Sequence, residues 1–409
     1  MTAVSASATV VESGGYDQGA SVGRITRAPR SRPVRIGVML RHLRQHAGGV
    51  RIYTEHMLER LLATHTRHEF VFMYQDRGLL GTYAGRAGVE ETALELPGGP
   101  LWDQLAVPWL ARRHQVDVIF NPKFSVPFLS SRPKVFVLHG SEWFVIPQAF
   151  LWYDRLYARA LVPLYCRRAT RVITVADRVK QDAVEFTGVD ASKFVRVHNG
   201  FDRERFAPVL DQDVRDRIRA RYALPERYLL WVGQLYPPKN FGRIVRALDR
   251  IRDRFHHPLI IAGEPRWSAS PDLAAIEELG LQDRVRFLGW VSQDDLPGLY
   301  SMADLFLFPS LHEGFGIPLV EAMASGCPIV TSRTGSPPEV VRDAGVLVDP
   351  LDVDSIAEGI ARVLSDAELR HDLSRRGIER ARAFSWERCA EEVLTILESC
   401  AAVTEEARG

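Results

Sequence analysis

A chain of 409 residues with 46% hydrophobic and 25% charged side chains carries enough apolar material for two or three cores, at roughly 150 residues per domain. Its formal net charge of +1 gives no electrostatic reason to expect nucleic acid as the main partner. Four scattered cysteines (Cys166, Cys327, Cys389 and Cys400), none in a CxxC pair, argue against a disulfide framework or a zinc site and suit a reducing compartment.

Residues 1–32 are rich in small residues, Ser, Gly and Arg and lack apolar periodicity. They read as a disordered tail and not as a secretory leader. No run approaches the ~20 apolar residues of a membrane span, so the expected location is cytoplasmic. The first strand signal is Val34–Leu40 (VRIGVML), a short apolar run suited to a buried parallel strand. Gly48 and Gly49 follow, and Val50–Ala63 then carries apolar residues at helical spacing. Glu69–Tyr74 predicts a strand, Leu101–His114 a helix and Val116–Phe120 another strand. Lys134–His139 (KVFVLH) and Arg171–Val175 (RVITV) repeat the strand signal. Between them, Gln148–Arg168 mixes aromatics with Arg155, Arg159, Arg167 and Arg168. Core packing accounts for that segment, with peripheral contact at the inner membrane face as the other option, and Pro163 is expected to break its helix.

Val195–Pro208 interrupts this rhythm with an Asn-Gly turn signal, clustered charges and a closing proline. It divides a first domain, 33–202, from a second, 203–385. Strand-like runs then resume at Tyr228–Val232, Leu259–Ala262, Val285–Leu288, Asp304–Phe308 and Pro328–Thr331. The strand–helix alternation in both halves predicts an α/β protein with two doubly wound, Rossmann-like parallel sheets. An amphipathic helix begins at Trp386, and residues 386–409 are expected to pack back toward the first domain. Such sheets bind ligands at their strand C-terminal edges, so facing edges place the site in the cleft between domains.

The stretch Asp304–Ser332 (DLFLFPSLHEGFGIPLVEAMASGCPIVTS) carries the chemistry. A strand leads into a loop with Glu313, Gly314, Phe315 and Gly316. A helix then starts near Ile317-Pro318, with Glu321 in its first turn and Gly326 at its end. Its free N–H groups and dipole suit phosphate, and the glycines allow close backbone approach.

Glu313-Gly-Phe-Gly-Ile-Pro-Leu-Val-Glu321 resembles the E-x7-E signature of retaining GT-B glycosyltransferases of the group-1 family, family 4. Val197–Asp202 with Arg205–Pro208 is similar to that family's linker signature. Val232–Asn240 resembles its phosphate-binding turn, and Phe287–Ser292 the segment whose backbone holds the base. The resemblance implies that Glu321 binds ribose hydroxyls and that Glu313 lies beside the transferred sugar. It implies that Lys239 neutralises the diphosphate and that His139 contacts the sugar near the reacting carbon. Gly48, Gly49, Gln234, Val291, Gly314, Phe315, Gly316 and Ile317 complete the implied donor site. Gln234 is a departure, because many relatives have arginine there.

The activity so implied is retaining transfer of a hexose from a nucleotide sugar, with GDP-mannose ahead of UDP-glucose and UDP-N-acetylglucosamine. The acceptor is a hydroxyl of a glycan, glycolipid or small molecule. No cofactor or metal is expected. Asp211-Gln-Asp213 and Asp352-Val-Asp354 have the D-x-D form of metal-dependent transferases, but the second reads as a helix cap and neither lies in the glycine-rich loops. A nucleotide-sugar 2-epimerase and a non-catalytic nucleotide-sugar-binding partner share these motifs and stay open. An NAD-dependent oxidoreductase does not, since no G-x-G-x-x-G follows Leu40 or Val232.

Overall fold

The computed structural model describes residues 33–44, 48–64, 67–264 and 270–406; the tail expected over 1–32 lies outside them. Seven strands form the first sheet: β1 (Arg35–Met39), β2 (Glu69–Tyr74), β3 (Val89–Ala93), β4 (Val118–Asn121), β5 (Lys134–Leu138), β6 (Arg171–Thr174) and β7 (Phe194–Arg196). They lie in the order β3-β2-β1-β4-β5-β6-β7, every pair parallel. The second sheet holds β8 (Leu229–Val232), β9 (Leu259–Ala262), β10 (Val285–Gly289), β11 (Leu305–Phe308), β12 (Ile329–Ser332) and β13 (Val346–Val348). Its order is β10-β9-β8-β11-β12-β13, again all parallel. Central strands such as β4, β8 and β11 are buried at every position, which is why they read as unbroken apolar runs.

Three strands escape the apolar-run signal: β3, β7 and β13. All three are sheet edges. β3 (VEETA) carries two glutamates, and Glu90 pairs with Arg35 and, at 2.8 Å, with His114. Charge on β3 and shortness in β7 and β13, three residues each, discourage pairing with other chains and hide these strands from an apolar pattern.

Two expectations need correcting around Gln148–Arg168. Pro163 does not break the helix, which runs from Trp152 to Arg168. Its missing N–H and ring clash cost about 3 kcal/mol, and the buried stripe Ala158, Val162, Tyr165 and Cys166 offsets this. Core packing explains only that stripe, because Trp152, Tyr153 and Leu156 at the helix start are exposed. Within 99–114 the helix is interrupted by a π turn, Trp102–Ala106.

The helix Trp386–Glu406 lies against the helix Gly49–Thr64 of the first sheet's domain. Trp386 stacks on His56 and meets Tyr53 edge-on, and Arg60 pairs with Glu387 at 2.9 Å. At the crossing between domains, Arg203 donates to the carbonyls of Arg382 and Phe384. A Cβ on Gly200 would stand 2.1 Å from the Trp386 amide, so only glycine fits there.

Candidate active site

Strand order reverses between β1 and β4 in the first sheet and between β8 and β11 in the second. Loops that leave the C-terminal ends of these strands form the crevice of an open α/β sheet.

On the second sheet, the turn after β8 is stitched to the loop after β11. Leu311 donates its amide to Pro238 O at 2.8 Å. Asn240 donates its side-chain amide to the carbonyls of Pro309 and Pro350 at 2.9 and 2.6 Å. This rigid junction brings Lys239 to Glu313, Nζ to Oε1 at 2.6 Å, with both side chains nearly buried. The ammonium also lies 4.7 Å from the centre of the Phe308 ring. Burial works against its charge, yet Glu313, Tyr236 and Glu142 together hold the Lys239 pKa above the ordinary lysine value. Ser336, after β12, fixes the loop from behind by donating its hydroxyl to Glu313 O and Gly314 O at 2.8 and 2.6 Å.

The helix Ile317–Ala324 begins at Gly316, whose φ of 89° is left-handed and whose position no side chain caps. Pro318 occupies the first turn. Phe315 is buried and meets Phe384 edge-on at 5.5 Å. Glu321 lies in the second turn, not the first as the sequence suggested, so a favourable place at the dipole does not account for it. Its carboxylate is buried and accepts from the Tyr300 hydroxyl at 3.3 Å. Burial raises its pKa to about 7 against that hydrogen bond, with Arg205 of the linker pulling the other way.

Across the crevice, β5 ends at Leu138 and delivers His139, Gly140, Ser141 and Glu142. Gly314 packs against this segment so closely that a Cβ there would stand 1.8 Å from His139 O. His139 donates Nε2–H to Pro122 O at 2.6 Å, which fixes the tautomer and leaves Nδ1 as the acceptor. Burial lowers its pKa to about 4, more than that bond restores, so the ring is neutral.

Four residues that pattern reading passed over complete the junction. Ser141 donates to Asp182 Oδ2 at 2.5 Å and meets His312 Nε2 at 2.9 Å, which ties the two domains together one residue before Glu313. Glu142 faces Glu313 and Lys239. Burial first, then the Glu313 charge, raise its carboxyl to about 7. A signal for Glu142 was available, since it follows His139 by three residues on one strand-end loop. Asp182 and His312 gave none, because each stands alone in sequence.

The remaining candidates are more dispersed. Gln234 is exposed in the turn after β8, and Val291 is buried in the loop after β10. Gly48 and Gly49 open the helix Gly49–Thr64, with free space around both. Asp211 and Asp352 each cap a helix, accepting from the amides of Asp213 and Val214 and of Asp354. Among the described residues, no group of three or more His, Cys, Asp or Glu is gathered as for a metal ion.

Residues 47–205 match the family model described as Glycosyltransferase Family 4, and residues 214–380 the one described as Glycosyl transferases group 1. O-antigen chain mannosyltransferase B of Escherichia coli is 29% identical over 289 residues, 70% of this chain and 75% of that protein. D-inositol 3-phosphate glycosyltransferase of Salinispora tropica is 34% identical over 245 residues, 56% of this chain and only 50% of its own length. Sucrose-phosphate synthase of Thermosynechococcus elongatus shares the fold at TM-score 0.72 and 22% identity, covering 90% of this chain and 100% of that one. The glycosyltransferase WaaG does so at TM-score 0.68 and 18% identity, covering 88% and 99%. Both are GT-B folds, and so is this one.

Proposed function

Since the chain belongs to the glycosyl transferases of group 1 and family 4, we propose that it moves a hexose from a nucleoside diphosphate sugar to an acceptor hydroxyl with retention of anomeric configuration. The observation that carries this reading is the Lys239–Glu313 pair at 2.6 Å, set at one strand edge and closed by the His139–Glu142 loop of the other. A departing diphosphate gains negative charge. Lys239 and the uncapped start of the helix at Gly316 supply fixed positive potential where it develops, so the leaving group is stabilised without reorganisation. Glu321 takes the ribose hydroxyls, and the backbone around Val291 takes the base.

Glu313 and the neutral His139 hold the sugar hydroxyls and the reacting carbon. The acceptor hydroxyl attacks from the face that the diphosphate leaves, and the leaving phosphate takes its proton. GDP-mannose is the first donor to test, because several curated relatives are named mannosyltransferases. The acceptor is a glycan, a small molecule or a lipid-linked sugar; for the last, the exposed Trp152, Tyr153 and Leu156 offer peripheral membrane contact. No helix among the described residues is long and apolar enough to cross a membrane.

Transfer is metal-independent in this reading. The Asp211 and Asp352 carboxylates are engaged at helix starts, and Lys239 does the work of the cation. Donor screening by thermal shift tests the assignment. One nucleotide sugar should raise Tm in a concentration-dependent way, by mass action on the native state. Flat curves for GDP-mannose, UDP-glucose and UDP-N-acetylglucosamine would count against it. Activity abolished by EDTA and restored by Mn²⁺ would overturn the metal-free mechanism.

A further inference from the structure

A cavity of about 270 Å³ opens on the first domain, at the point where the strand order reverses between β1 and β4. Arg41 and His42 follow β1, and Asn121, Lys123 and Phe124 lie at or just beyond the end of β4. Arg41 gives two N–H groups to Asp103, both at 3.3 Å, and Ser125 gives Asp103 a third bond at 2.8 Å. The buried carboxylate is thus satisfied, while the guanidinium keeps three further N–H groups. Lys123 is different. It lies 5.7 Å from the centre of the Phe124 ring, half-buried, and no carboxylate among the described residues stands within ion-pair distance of it.

Two cations, Arg41 and Lys123, thus share the inner wall with one carboxylate that Arg41 and Ser125 already hold. Burial and then Arg41 hold Lys123 below the ordinary lysine pKa against the pull of Asp103, and burial, Lys123, His139 and Arg41 push His42 down to about 3. Asp154 lines the cavity from the first turn of the helix Trp152–Arg168 and forms no ion pair there among the described residues. Phe124 and Trp143, edge-on at 4.7 Å, and Tyr157 form an apolar wall that a sugar or polyol ring can lie against. The lining joins the reaction centre at two places. Pro122, which holds His139, sits between Asn121 and Lys123, and Trp143 follows Glu142.

We propose that this cavity binds the acceptor through a phosphate monoester, which Lys123 and Arg41 hold while the ring lies against Phe124 and Trp143. The inference rests on the transferase reading only in making the occupant the acceptor. The phosphate is a handle; no bond to phosphorus forms or breaks. Two positive side chains, one with N–H groups in a planar fork, suit a doubly charged phosphate better than a neutral hydroxyl.

The test is a tryptophan-fluorescence titration of the full chain, saturated with GDP or UDP so that the donor phosphate site is filled. Methyl α-mannoside 6-phosphate and methyl α-mannoside present one ring with and without the charge. Dodecyl phosphate in neutral detergent micelles presents the charge on a lipid. We expect the phosphorylated sugar, the micellar phosphate or both to bind at least tenfold tighter than methyl α-mannoside. Which of the two binds tells a soluble acceptor from a lipid-linked one. Lys123→Met should erase that preference while leaving Tm and nucleotide affinity in place, and Lys123→Arg should restore most of it. Equal affinity for the charged and uncharged sugar with no micellar binding, or a preference that Lys123→Met leaves intact, would overturn the proposal. If the wild-type chain binds no nucleoside diphosphate, the function assigned above fails, and the same titration without nucleotide still judges this cavity.

Discussion

Lys239 and Glu313 are each other's nearest charge, and that coupling shapes what substitution does. Lys239→Ala should lower turnover by about 100-fold or more, the usual loss when a group aimed at a developing anion is removed. It should also lower Tm, because Glu313 is then left nearly buried without its partner. Lys239→Met with Glu313→Gln removes both charges and should recover much of the stability and none of the turnover. The two glutamates of the signature should separate in calorimetry. Glu321→Ala should weaken binding of the free nucleoside diphosphate, whereas Glu313→Ala should leave it bound and abolish transfer.

Glu142 gives a pH-dependent prediction. Its carboxyl titrates near pH 7 in the folded chain against 4.5 for the ordinary group. Between those values the folded state keeps a proton that the unfolded state has lost, so this residue makes stability fall as pH rises from about 4.5 to 7. Thermal melts of Glu142→Gln should match wild type near pH 4.5 and exceed it at pH 8. A difference that shrinks toward alkaline pH would contradict the assignment. Gly314 is testable too: Gly314→Ala puts a methyl group against His139 O and should cost most of the activity by prising the two loops apart.

At the scale of elements, the helix Ile317–Ala324 was legible from Pro318, Gly326 and the strands around it, because its termini are built from residues with few other uses. The turn that Glu321 occupies was not, since one residue's shift in the start moves it by 100° around the axis. The helix Trp152–Arg168 departs from the sequence expectation at Pro163 for another reason. Local chain chemistry forbids proline there, and a tertiary stripe of four buried residues overrules it. Pro163→Ala should therefore raise stability, by about 1–3 kcal/mol, in chemical denaturation. Unchanged or lower stability would contradict this cost of Pro163.

At the scale of the molecule, two sheets face each other across a crossing made by residues 198–205 and 382–386. Glu339 spans it. It accepts from the Asp177 and Arg178 amides at a helix start of the first domain, and from His198 at 2.6 Å. Burial opposes its charge, but these bonds hold its pKa below the ordinary glutamate value. With His312 and Ser141, it forms a polar clasp across the two domains; closure on the donor predicts a more compact particle in small-angle scattering with nucleotide sugar than without. None of the clasp was legible in the sequence, because the partners Ser141 and His312 lie 171 residues apart and His198 and Glu339 141, and each is an ordinary polar residue in isolation. The two-sheet architecture was legible, since buried parallel strands announce themselves as apolar runs; the edges were not, β3 because of its glutamates and β7 and β13 because each is only three residues long.

Sugar transfer driven by stabilisation of a departing nucleoside diphosphate leaves a signature in proton NMR of the purified chain with GDP-mannose, UDP-glucose and UDP-N-acetylglucosamine, each with a candidate acceptor. One donor should be consumed, free nucleoside diphosphate should appear, and the anomeric signal of the product should keep the donor's configuration, all lost in Lys239→Ala. Inverted product, or turnover that survives Lys239→Ala, would contradict it.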